Sequence, residues 1–158
     1  MNNQTTNPIG AVAATVRQKI ELPYSYVAGR AVTRFLLGLK SKLFYASVCG
    51  SCGRKNVLPL SFCGRCWKPI DRYVPVGPRG TLESFASVPG GVAELPHIAG
   101  PVVYGLVRLD GADTLLAHVI TADAEGKIRC GARVEAVWRE ERTGSILDVE
   151  AFRVLREG

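Results

Sequence analysis

From residue 80 onward, apolar and polar positions alternate. "GTLESFASV" (80–88), "VVYGLVRL" (102–109) and "DTLLAHVIT" (113–121) place successive side chains on opposite faces, the period-two signature of half-buried strands. "ARVEAVWREE" (132–141) alternates most cleanly, with Val134, Ala136 and Trp138 on one face and Arg133, Glu135 and Arg139 on the other. "SILDVEAFRVL" (145–155) is the fifth segment. "DGA" at 110–112 and "TG" at 143–144 supply turns, and Gly131 stands where the fourth strand must bend. Five short strands at regular spacing predict a small barrel over residues 73–158, of the OB type. Residues 122–131 leave room for little more than a turn of helix between strands three and four, so the barrel is a trimmed one. "PGGVAELPHIAGP" (89–101) is its longest loop, a place where function often sits.

Before the barrel the period changes. Val32, Phe35, Leu36, Leu39 and Leu43 recur at spacings of three and four, which predicts an amphipathic helix over residues 29–48. Either the helix packs on its own domain, or it docks on a partner through Phe35, Leu36 and Leu39. The small size of what flanks it favours docking. Residues 1–28 read as mostly irregular, with one short helix around residues 11–20.

Between helix and barrel, "CGSCGRKNVLPLSFCGRC" carries four of the five cysteines as two Cys-x-x-Cys pairs ten residues apart. Each pair can present two sulfurs to one ion, and four thiolates complete a tetrahedron. The following glycines, Gly50, Gly53 and Gly64, let the backbone turn tightly around it. Residues 49–72 are therefore predicted to be a rubredoxin-like zinc ribbon with Cys49, Cys52, Cys63 and Cys66 as ligands to one structural Zn2+. Val57, Leu58 and Leu60 would start a short strand there. Iron also suits four thiolates, and paired disulfides or tandem redox motifs are the remaining uses of such spacing. A closed four-thiolate site leaves no position for substrate, and in comparable peptides the metal stabilises its own module by ~10–16 kcal/mol.

Composition narrows the partners. The 158 residues are 47% hydrophobic and 22% charged, as in an ordinary globular protein. No apolar run approaches the roughly 20 residues that span a membrane. No basic residue precedes the short apolar stretch near the N-terminus, which argues against a secretory signal and for a reducing cytoplasm. The net charge of +6 is unevenly distributed. Residues 1–72 hold eleven Lys or Arg and two acids, a net +9, whereas residues 73–158 hold nine bases and twelve acids, a net −3. The basic half implies an anionic partner.

The ordered series "YVAGRAVTRFLLGL", "CGSCGRKNVLPLSFCGRC", "GPRGTLESFASV" and "KIRCGARVEAVW" resembles the zinc-ribbon plus OB-fold family of acyl-CoA-associated accessory proteins, the small partners of thiolases and thiolase-like aldolases. The resemblance covers roughly residues 24–156. It implies a non-catalytic subunit that binds a thiolase-fold partner in a hetero-oligomer and helps shape its coenzyme A site, with the catalytic cysteine on the partner chain. The cysteines at 49, 52, 63 and 66 match the family's metal ligands. Arg54, Lys55 and Arg65 are the candidates for touching coenzyme A, although "VLPLSFC" lacks the Arg that many members carry before the third cysteine.

The alternative is a single-stranded nucleic-acid binder, since ribbons and OB barrels both serve that role. The predicted second and third barrel strands offer only Tyr104 as a stacking platform, Phe85 and Trp138 read as core, and the acidic barrel would repel a phosphate backbone. An enzyme finds no nucleophile motif: His118 reads as a buried or edge residue, His97 as a turn residue, and Cys130 as a small apolar residue of the barrel.

Overall fold

The computed structural model describes residues 21–89, 101–122 and 127–156. His97, the short helix expected at 11–20 and most of the 89–101 loop lie outside them. In chain order the elements are α1 (Gly29–Lys40), β1 (Phe44–Val48), β2 (Lys55–Val57), β3 (Arg72–Val76), β4 (Arg79–Val88), β5 (Val102–Leu109), β6 (Leu116–Thr121), β7 (Arg133–Trp138), a 3-10 turn at Ile146–Asp148, and β8 (Val149–Val154). Strands β2-β1-β3 form an antiparallel sheet, and β4-β5-β6-β8-β7 close into a barrel. The predicted class is borne out: the described residues are mainly β, with one α-helix, a cysteine-bearing ribbon and a five-stranded OB-like barrel.

The helix is shorter than its periodicity suggested. It stops at Lys40, and the residues expected to continue it form β1. Lys42 takes the left-handed conformation (φ +59°), its N–H bonding the Leu39 carbonyl while the Leu43 N–H bonds the Gly38 carbonyl. This paired 5→2 and 6→1 closure is a Schellman stop. Gly38 is required where the chain returns, because a Cβ there would lie 2.6 Å from the Tyr45 ring. Arg142, from the loop after β7, donates to the Lys40 carbonyl (2.9 Å) and places a cation at the negative end of the helix dipole.

Phe35, Leu36 and Leu39 are not a free docking face. Phe35 is 2% exposed and Leu39 fully buried, and Leu36 is partly buried against the same core. The missing core proves to be Phe44, which opens β1. Its ring centroid lies 6.4 Å from that of Phe35, 4.9 Å from Trp138 and 5.9 Å from Phe152. Helix, ribbon sheet and barrel thus share one hydrophobic core, with Leu82, Val107, Leu116, Ile120 and Val134 filling the barrel.

Polar bonds fix the ribbon on the barrel. Asp113 accepts from the Lys55 N–H (2.8 Å) through its carboxylate and donates its own N–H to the Lys55 carbonyl (2.9 Å). Thr114 Oγ1 accepts from the Val57 N–H (2.8 Å). The outer edge of β2 is therefore satisfied by the loop before β6, which is why β6 begins at Leu116 rather than at 113. β2 ends at Val57 because Leu58 turns left-handed (φ +58°), so the strand runs from Lys55 and does not start at Val57. β3, the other outer strand, carries Pro75. In β5, Gly105 faces the barrel interior, where a Cβ would lie 2.5 Å from both Ile120 and Leu82.

The fifth strand also starts late, at Val149, because Asp148 is spent on capping. It is buried and accepts from the backbone N–H groups of Thr143, Gly144 and Ser145. Burial pushes its carboxyl up, but those three donors and the nearby Arg142 outweigh it and leave the pKa below its ordinary 3.8.

Two outcomes test this architecture. Phe44→Ala should cost about 3–5 kcal/mol, because the cavity opens on three elements at once, and scanning calorimetry should show a correspondingly lower Tm. Asp148→Asn should destabilise at neutral pH. Since the native pKa is depressed, the carboxylate's stabilisation is present above the ordinary range and disappears as pH falls through the native value. Denaturant midpoints of wild type and variant should therefore converge in strong acid.

Candidate metal centre

Cys49 directly follows β1, and Cys52 completes the first knuckle. Cys63 and Cys66 form the second, held by a bridge between Phe62 and Pro69. The two knuckles share one hydrogen-bond plan. The Cys49 N–H bonds the Arg54 carbonyl (3.0 Å) and the Gly53 N–H bonds the Cys49 carbonyl (2.9 Å). The Cys63 N–H bonds the Lys68 carbonyl and the Trp67 N–H bonds the Cys63 carbonyl, both at 2.9 Å. The plan turns each pair of thiols toward a common point.

All four Sγ atoms lie within 4.8 Å of one another, and Cys52 Sγ is 3.8 Å from Cys63 Sγ. A tetrahedron with metal–sulfur bonds of ~2.3 Å has edges of about 3.8 Å, so the residues present fit a metal ion. No disulfide joins them. Cys49 and Cys63 are buried with Ile70 in a small core of their own, Cys66 is half-buried, and Cys52 is exposed.

The protein prepares the sulfurs unequally. The backbone N–H groups of Arg65 and Cys66 point at Cys63 and hold its thiol down to about 6. Cys66 is pushed up to about 12, first by its hydrogen bond with the Cys52 sulfur and then by burial. A metal must displace the protons of the thiols that remain, so acid competes with binding.

The other residues singled out from the sequence divide. Arg54 and Arg65 are exposed on the two knuckles, and Lys55 is half-buried in β2. With Lys68 they make four bases and no acid between residues 49 and 70. Cys130 is exposed in the turn before Gly131 (φ +82°), not an apolar residue of the barrel, because the turn lifts it off the core. Phe85 also reaches the surface, whereas Trp138 packs on Phe44. His118 is mostly buried with its ring edge on Phe152 (5.7 Å), its Nδ1 has no hydrogen-bond partner, and burial pushes its pKa down. Sequence reasoning passed over Trp67. Aligning "CGSCG" with "CGRCW" would have placed it opposite Gly53.

Residues 73–139 match the family described as ChsH2, C-terminal OB-fold domain. Among solved structures, a DUF35-family protein of unknown function from Sulfolobus solfataricus is similar at 24% identity and a TM-score of 0.62, over 80% of this chain and 86% of that one. The Ltp2-ChsH2(DUF35) aldolase is similar at 22% identity and a TM-score of 0.60, over 80% and 95%. No curated protein matches. These likenesses bear out the resemblance to the ribbon-plus-OB-fold accessory family, and the two solved structures speak for the fold. Among the described residues, no helix is long and apolar enough to cross a membrane.

The site predicts one metal ion per chain, measurable by elemental analysis after purification without added metal. Cys63→Ser/Cys66→Ser should lose the ion at neutral pH, and the wild type should release it on acidification. The β signature of the barrel, read by circular dichroism, should survive in the double variant.

Proposed function

We propose that this chain is a non-catalytic, cytoplasmic accessory subunit of a thiolase-fold acyl-CoA enzyme that makes or breaks carbon–carbon bonds, with a structural zinc in its ribbon. The observation that carries the reading is the joint one: a helix, a four-cysteine ribbon and an OB-like barrel in this order, in a fold similar over most of its length to the ChsH2-containing aldolase. Zinc is the ion of choice because a closed tetrahedral thiolate site needs no redox change and no open position.

The residues described offer no competing catalytic constellation. The histidine among them, His118, is packed against Phe152 and carries an unpartnered Nδ1. The nucleophile belongs to the partner chain. Coenzyme A carries a pyrophosphate and a ribose phosphate, and Arg54, Lys55 and Arg65 on the ribbon supply positive charge for it. The fixed position of β2 against Asp113 and Thr114 would hold that charge still at the mouth of the partner's site.

The isolated chain should show no acyl-CoA cleavage or condensation in a thioester assay, and activity should appear only with a thiolase-fold subunit; turnover by the chain alone would overturn the reading. In the assembled complex, Arg54→Glu/Lys55→Glu should leave assembly intact and raise the apparent KM for the coenzyme A substrate. That rise should be largest at low salt, because the contribution is screened.

A further inference from the structure

The matched knuckles differ at one position. The residue whose N–H closes each turn onto the first cysteine's carbonyl is left-handed in both, at φ +72° in the first knuckle and +56° in the second. The first has Gly53 there. The second has Trp67. Glycine suits this conformation, whereas a bulky side chain is disfavoured by its Cβ. Burial does not compensate, since Trp67 is 80% exposed. Both the backbone and the solvent thus disfavour the residue in the free chain. Strain of this kind concentrates where binding takes place.

The surroundings repeat the pattern. Leu58 is also left-handed (φ +58°) and 50% exposed, and Leu60 and Phe62 are 43% and 61% exposed. These side chains flank a stretch whose only charges are Arg54, Lys55, Arg65 and Lys68. Lone exposed apolar residues are ordinary, but four within ten residues of chain mark an interaction surface.

We propose that the ribbon's second knuckle is the docking tip of this chain, with Trp67 as the anchor that enters an apolar recess rimmed by carboxylates on the thiolase-fold subunit. Charge complementarity selects the rim: Arg65 and Lys68, on the same knuckle as Trp67, require an anionic counterpart. The aliphatic Leu58 and Leu60 select a protein over a nucleic acid, because they offer apolar area without a stacking face. Tryptophan is the residue type most suited to such an anchor. The inference rests on the accessory-subunit reading and gives that reading its contact surface, in place of the buried Phe35 and Leu39.

The test compares the full-length wild type with Trp67→Gly and Trp67→Asn, two residues that accept the left-handed conformation. Each is titrated against a thiolase-fold subunit from the same organism. Both variants should keep one metal per chain and melt no lower than wild type, while affinity for the subunit falls about thirtyfold or more. Arg65→Glu/Lys68→Glu should slow association and flatten its salt dependence. Loss of metal or a lower Tm in Trp67→Gly would assign Trp67 a structural role and overturn the proposal. Unchanged affinity with intact metal would overturn it equally. Binding of a single-stranded oligothymidine that quenches Trp67 fluorescence and is lost in Trp67→Gly would replace it with a nucleic-acid surface. If the wild type itself binds no thiolase-fold subunit, the accessory reading fails, a result separate from any effect of position 67.

Discussion

The contact of Phe44 with Phe35, Trp138 and Phe152 is what makes the molecule one body. Neither the helix nor the ribbon sheet is large enough to stand unaided. A 12-residue helix is marginal alone in water, and a three-stranded sheet needs something to pack on. One fully buried ring, placed at the start of β1, gives each of them a share of the barrel's core. The metal knuckles sit at the far end of the same strand, directly after Val48. β1 therefore connects the shared apolar core to the four-cysteine cluster through five residues.

That arrangement explains which features were legible in the sequence. Local rules carried the clustering of the four cysteines, the alternation of β7 and the glycine turns at 111 and 131, because each depends on neighbours within a few positions. The end of α1 was hidden by chemistry: its left-handed stop is Lys42, where a glycine would have announced it. The role of Phe35 and Leu39 was hidden by distance. Phe35 packs on Phe44, and Phe44 in turn on Trp138 and Phe152, about a hundred residues further on in the chain, so a one-dimensional reading saw an apolar helix face with nothing to cover it. Asp113 and Thr114 were read as strand for a related reason. Their pattern suits a strand, but the edge of β2 recruits them. Trp67 escaped because spacing identifies ligands and is silent on what sits beside them.

Charge is organised by the same rigid frame. The basic helix and ribbon and the acidic barrel are not separate domains on a linker; they share a core and are pinned by the Asp113 and Thr114 bonds. The bases of the helix and ribbon are thus held at a set orientation to the barrel. Such a distribution orients an approaching anionic surface before contact, where the same net charge spread evenly would only attract it.

Pro75 in β3 has a consequence for assembly. β3 is the outer strand on the side away from β2, and a proline there has no N–H to offer a further strand. The other border of the sheet is already occupied by the Asp113–Thr114 loop. Copies of this chain are thereby hindered from zipping backbone to backbone into extended ribbons, even at high local concentration. Recognition is left to side chains, which can be selective in a way that a bare backbone ladder is not.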